Sequence, residues 1–190
     1  MKYFRFDAGD SVVAWTITDS AFNPLDRFGS TNYWSTDSRQ VHVPLLDSDR
    51  DPTRRSQLPD AIGVGIELVV SQKLCQLFLE SAIDPNVEFL QVDVVNRRRN
   101  VLATDYFLLI SREWHNVLDP NKSDAEILDN GMALEVEDWV IDQRCIPPYD
   151  LWYANAHSWV VSERFRRSLR FRITKNLAFF PTRVSSTAEQ

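Results

Sequence analysis

The chain has 190 residues, of which 44% are hydrophobic and 25% charged, and its formal net charge is −6. That length fits one domain, and six Trp with this apolar content can build a core. An acidic balance argues against a dedicated nucleic-acid binder, two Cys are too few for a disulfide framework, and no apolar run is as long as a membrane span.

The first residues, Met1-Lys2-Tyr3-Phe4-Arg5-Phe6-Asp7, alternate as a strand does. They lack the apolar centre and cleavage site of a secretory signal, which implies a cytoplasmic protein. Strands are expected at Tyr3 to Phe6 and Val12 to Ile17. Residues 18–60 are polar and irregular, with isolated aromatics at Phe22, Phe28, Tyr33 and Trp34. A segment of that kind is expected to be functional or mobile. Gly63 to Val70 reads as one strand. Gly63-Val64-Gly65 lacks the third glycine of a dinucleotide loop and precedes a strand, so it reads as a bend. After Ser71, the spacing of Leu74, Leu77, Phe78 and Ala82 predicts a helix over 72–82. Leu90, Val92 and Val94 alternate with polar residues, an Arg-rich turn spans 96–100, and Val101 to Ile110 returns as the partner strand of a hairpin. Residues 113–131 form a polar connector that closes on the turn signal Asn130-Gly131. Leu134 and Val136 alternate with Glu135 and Glu137 in a further strand. Pro147-Pro148 breaks the chain, and Phe165, Leu169 and Ile173 predict a second helix over 163–173.

One phrase occurs twice. Val69-Val70-Ser71 and Val160-Val161-Ser162 each end a strand and open an amphipathic stretch. Strand character then returns in Asn86-Val87-Glu88-Phe89 and Asn176-Leu177-Ala178-Phe179. The counts from Ser to the returning Val87 or Leu177 are 16 and 15, so the two units nearly superpose. A Ser at the N-cap accepts from a free N–H of the first turn, and Glu163 is an acid where the helix dipole favours one. The expected fold is α+β, a single domain over 1–190 of antiparallel or mixed sheets with a few short helices, built around two strand–helix–strand repeat units.

No catalytic, cofactor-binding or metal-binding set stands out. His42, His115 and His157 share no ligand spacing, and no zinc, Walker or nucleophile-elbow pattern occurs. Ser71 and Ser162 read as caps, Cys75 as a small buried residue and His157 as a partly buried strand residue. Both Cys75 and Cys145 are expected as free thiols. Charge is unevenly spread. Residues 119–142 hold eight acids and one Lys, whereas residues 163–183 hold seven bases and one Glu. Runs of this kind are more often ordinary solvated faces than binding surfaces, though they can steer a partner. Pairing with the acidic connector, within the molecule or a dimer, would neutralise the Arg set at 164, 166, 167, 170 and 172, and nucleic-acid binding stays a minor option.

The phrase Val160-Val161-Ser162-Glu163-Arg164-Phe165, a short helix and then Leu177-Ala178-Phe179-Phe180-Pro181 resembles the C-terminal signature of a bacterial immunity-protein family. That family accompanies polymorphic toxins and is common in myxobacteria. The lead-in Val140-Ile141-Asp142 and Leu151-Trp152-Tyr153 fits the pattern, as do Val69-Val70-Ser71, Val87 and Tyr106-Phe107-Leu108-Leu109-Ile110. The resemblance covers roughly residues 60–182, and before it only Met1-Lys2-Tyr3-Phe4 matches loosely. Arg144-Cys145-Ile146-Pro147-Pro148 departs from it. The resemblance implies a protein without catalysis that binds and neutralises a cognate toxin, encoded by an adjacent gene, through direct contact. From charge alone, the expected contact residues are Asp124, Glu126, Asp129, Glu135, Glu137 and Asp138 with Trp139 as an aromatic anchor. The alternative is a small hydrolase or modifying enzyme using carboxylates or His157 between the two units. A regulatory scaffold on nucleic acid is a third, minor reading.

Overall fold

The computed structural model describes residues 2–8, 16–17, 40–42, 58–64, 67–96, 98, 100–170 and 177–185. In chain order these form β1 (Tyr3–Ala8), β2 (Thr16–Ile17), β3 (Gln40–His42), β4 (Ala61–Val64), β5 (Glu67–Ser71), α1 (Gln72–Leu79), β6 (Val87–Val95) and β7 (Val101–Ser111). There follow β8 (Asp124–Ile127), β9 (Ala133–Asp138), β10 (Val140–Asp142), a 3-10 turn at Gln143–Cys145, β11 (Leu151–Ala154), β12 (Ser158–Ser162), α2 (Glu163–Arg170), β13 (Leu177–Pro181) and β14 (Arg183–Ser185). Strand dominates, and two α-helices join it among the described residues, so the class is a sheet-rich α+β.

Two sheets carry the architecture. A six-stranded sheet runs β2-β3-β6-β7-β5-β4, and a four-stranded sheet runs β11-β12-β1-β13. Both helices bury their apolar sides in one core with a face of each sheet. Leu74, Cys75 and Phe78 of α1 meet Phe165 and Leu169 of α2 there, and Phe78 stacks on Phe165 with ring centroids 5.1 Å apart. Leu68, Val70 and Leu109 line this core from the larger sheet, Phe4, Phe6, Trp159 and Val161 from the smaller. The opposite face of the larger sheet buries Ile62, Val69, Val92 and Leu108. That of the smaller buries Tyr3, Trp152 and Val160 against Val117, Leu118, Trp139 and Ile141. Strands covered on both faces explain why Val69-Val70 and Val160-Val161 are unbroken apolar runs.

Pairing registers place like residues alike. In the larger sheet Ser71 stands opposite Tyr106 and Val70 opposite Phe107. In the smaller, Ser162 stands opposite Tyr3 and Val161 opposite Phe4. On the far side of that third strand, Phe89 of β6 faces Leu109 and Phe179 of β13 faces Phe6. The orders β4-β5-β7-β6 and β11-β12-β1-β13 thus correspond, with every pair antiparallel.

Several expectations change. The strand expected over 63–70 is the hairpin β4–β5, because Ala61 to Val64 pairs back on Glu67 to Val70. Gln40–His42, within the segment expected to be irregular, adds in parallel to β6. The connector 113–131 contains β8, which pairs with β9. Helix α1 ends at Leu79 and not at Ala82. The Ser81 N–H and hydroxyl take the Phe78 carbonyl, Asp84 N–H donates to Leu151 O, and Pro85 follows. Residues 12–15, 18–39, 43–57 and 171–173 lie outside the described residues. Gly131 takes φ +82, and a Cβ there would come within 2.9 Å of Asn116 Oδ1, so this turn needs glycine.

Candidate functional site

Each helix starts from the same small polar assembly. Ser71 ends β5, its Oγ accepts from Leu74 N–H at 3.3 Å, and its hydroxyl donates to Asp60 Oδ1 at 2.8 Å. The Ser71 N–H also donates to Asp60 O, and Lys73 Nζ lies 3.9 Å from the Asp60 carboxylate. Ser162 ends β12, its Oγ accepts from Phe165 N–H at 3.2 Å, and its hydroxyl donates to Asp150 Oδ1. Its N–H donates to Asp150 O, and Arg164 reaches both Asp150 oxygens, through Nε at 3.2 Å and Nη2 at 2.5 Å. Burial pushes the Asp150 carboxyl up, but hydrogen bonds from Arg164, Ser162 and Ala82 N–H outweigh it and hold the group below the usual carboxylate range. Both serines are caps, as expected. The aspartate eleven or twelve residues upstream went unread, although each stands directly before a strand, at Asp60-Ala61 and Asp150-Leu151.

The acidic residues gather on the β8–β9 ribbon. Asp124, Glu126, Asp129, Glu137 and Asp138 are exposed, while of Glu135 only the backbone, in β9, is described. Asp124 stands directly opposite Asp138 in the ribbon. Like charges so placed destabilise a strand pair. Arg183 of β14 pairs with Asp138. Asp124, Glu126, Asp129 and Glu137 make no ion pair and no side-chain hydrogen bond among the described residues. Trp139 differs from the expected anchor. It is 8% exposed and packs in the core with Trp152 and Ile141, because it leads into β10, a strand buried along its length. Beside the ribbon, a depression of about 260 Å³ is lined by Glu137, Asp138, Arg183, Thr182 and Phe180, with Arg5 set 5.0 Å over the Phe180 ring.

Three arginines of α2 have partners outside the acidic connector. Arg164 bonds Asp150, Arg167 bonds Glu163 one turn away, and Arg166 lies 4.1 Å over the Phe4 ring. Only Arg183 joins the acidic connector among the described arginines of 163–183.

His157 is a turn residue and not a strand residue. Its φ is +51, Nδ1 lies 3.3 Å from the Tyr153 hydroxyl, and Nε2 lies 3.0 Å from Met132 Sδ. Both ring nitrogens are therefore occupied by structural contacts. A pair that the spacing concealed joins His115 Nε2 to the buried Asp84 Oδ2 at 2.5 Å, across 31 residues. Asp84 Oδ1 accepts from Asn86 N–H, so the pair ties the turn after α1 to the chain after β7. Cys75 and Cys145 are free thiols, the first buried and the second exposed. Burial pushes the Cys75 thiol up to about 11. No group of three or more His, Cys, Asp or Glu suited to a metal occurs among the described residues, and no helix is long and apolar enough to cross a membrane.

No protein-family model matches the chain, and comparison with curated proteins finds no relative.

Proposed function

We propose that the protein is an immunity protein, one that neutralises a cognate bacterial toxin by direct contact through the β8–β9 ribbon. The observation that carries the surface is an exposed ribbon on which Asp124 stands opposite Asp138 and on which Asp124, Glu126 and Glu137 make no ion pair among the described residues. Such an arrangement costs stability in the free protein and is offset when a basic partner covers it. The family is supported by the motif Val160 to Phe165 followed by Leu177 to Pro181. Toxins that act on nucleic acid have basic clefts, and this ribbon has the complementary sign. The binding acts in the cytoplasm of the producing cell and requires no chemistry from this chain.

The same reading takes the two Ser-capped strand–helix–strand segments as copies of one building unit. Matching registers at Ser71–Tyr106 and Ser162–Tyr3 support it, with β1 filling in the second unit the place of β7 in the first. The toxin surface then sits outside the duplicated part, on the ribbon inserted between the units.

Co-expression with the neighbouring toxin tests the function. Growth is rescued and the two proteins co-purify. The triple change Asp124→Lys, Glu126→Lys and Glu137→Lys slows association about tenfold at low salt and flattens its salt dependence, since steering is screened over about 8 Å at physiological ionic strength. An unchanged association rate removes the ribbon from the interface. Absence of rescue by the unaltered chain removes the immunity function.

A further inference from the structure

A groove of about 570 Å³ opens between α1 and the strands β6 and β7. Phe89, Phe107, Ile83 and Cys75 line it, and Leu79 stands at its rim with 60% exposure, while the carboxylate of the neighbouring Glu88 is paired with Arg112. The matching place beside α2 is filled. Counted from the cap serines, Cys75 corresponds to Arg166, each the fourth residue after its Ser. Phe107 corresponds to Phe4, opposite Val70 and Val161 respectively. Phe89 corresponds to Phe179 on the return strand.

In the second unit the Arg166 guanidinium carbon lies 4.1 Å from the Phe4 ring centroid and 5.9 Å from that of Phe179. Among the described residues the guanidinium has no ion pair, and its Nε is buried without a hydrogen-bond partner. Among the described residues, the ring faces of Phe4 and Phe179 hold it, as aromatic quadrupoles hold cations. The chain itself thus shows what this aromatic pair takes. In the first unit the same pair lines the groove, with Phe89 also packed on Phe78, and a small thiol replaces the arginine.

We propose that this groove is a docking site for an arginine side chain of a partner protein, seated on Phe89 and Phe107 as Arg166 is seated on Phe179 and Phe4. The apolar wall at Ile83 and Leu79 covers the arginine stem. The inference stands on the internal correspondence and not on the immunity reading, although a toxin is one such partner.

The test titrates the peptide acetyl-Leu-Arg-Leu-amide into the full chain and follows the phenylalanine ring protons by NMR. Saturable shifts at Phe89 and Phe107 in the millimolar range are expected. The citrulline analogue, which keeps the shape and loses the charge, binds at least about fivefold more weakly. Cys75→Arg places the plug within the chain and abolishes peptide binding. Should that variant not fold, Phe89→Leu removes one ring face while keeping an apolar side chain, and weakens the arginine peptide at least about fivefold. No shift with the arginine peptide, equal binding of the citrulline peptide, or undiminished binding to a folded Cys75→Arg or to Phe89→Leu overturns the proposal. No toxin enters this titration, so its failure leaves the immunity reading standing, and a failed growth rescue leaves the groove standing.

Discussion

The two hairpin–helix regions join like residues at like positions, each with a Ser hydroxyl on its Asp, yet the cation beside that Asp differs. At the first helix, Asp60 has a side chain 16% exposed and meets a Lys73 that is 51% exposed, at 3.9 Å. At the second, Asp150 has a side chain 7% exposed and receives two nitrogens of Arg164 as well as the Ser162 hydroxyl. A guanidinium fork matches a carboxylate in two bonds, whereas an ammonium gives a single point charge. The second region is also closed by a strand from the far end of the chain. Thr182 N–H and hydroxyl both donate to Tyr3 O, 179 residues away. One local geometry can therefore be reused while the side chains and the connection around it set how firmly it holds.

Removing residues 1–8 breaks the comparison most severely, because it takes β1 from between β12 and β13. Burial of Tyr3, Phe4 and Phe6 is worth about 2 kcal/mol each, and a whole domain is stable by only about 5–15 kcal/mol. With two ladders of hydrogen bonds also lost, the cooperative urea transition followed by circular dichroism disappears. A retained transition would show that β1 is not the closing strand of the second unit.

The aspartates come next. Asp150→Ala strands the Ser162 hydroxyl and the Arg164 fork and lowers stability by about 2–3 kcal/mol, less than for a wholly buried pair because Arg164 is 72% exposed. Asp60→Ala costs about 1 kcal/mol, the figure for an ordinary hydrogen bond. Equal losses in urea denaturation would erase the difference between the two regions. Acid sharpens the same point. The Asp150 pKa is lowered in the folded state, so its contribution is complete above the unfolded value near 4 and is lost as pH falls through the folded value. Stability therefore declines on acidification below about pH 4, and Asp150→Asn removes part of that decline. Part remains, because the Arg144 side chain and backbone N–H also hold Asp142 below the usual range.

Legibility in the sequence followed the range of the interaction. Ser71 and Ser162 were readable as caps because a cap depends on four consecutive residues and an amphipathic run. The hairpin β6–β7 was readable from alternation and its Arg-rich turn. The strands Gln40–His42 and Asp124–Ile127 were not, since three or four residues carry too short a period. Strand β1 was readable as a strand, but its place beside β12 depends on chain closure. Trp139 illustrates the limit for the candidate surface. Its acidic neighbours suggested exposure, whereas the burial of β10 and the packing on Trp152 decide its position. The Asp84–His115 pair has no local signature at all, since it forms across two turns.

The smallest expected effects belong to the caps themselves. Ser71→Ala and Ser162→Ala each remove one acceptor for a first-turn N–H, which costs about 1 kcal/mol. Ser162 also donates to Asp150, yet that carboxylate keeps both nitrogens of Arg164, so the loss stays near the value for a cap. The informative quantity is the coupling. Ser162 and Asp150 share a hydrogen bond, so Ser162→Ala combined with Asp150→Ala destabilises by less than the sum, with an interaction of about 1 kcal/mol. Ser71 and Asp60 share one too, and their cycle has the same sign. Ser71→Ala with Ser162→Ala share no partner, so their effects add to within about 0.5 kcal/mol. Strong coupling across that third cycle in urea denaturation would mean that the two latches act as one body, through the Phe78–Phe165 stack that joins their helices.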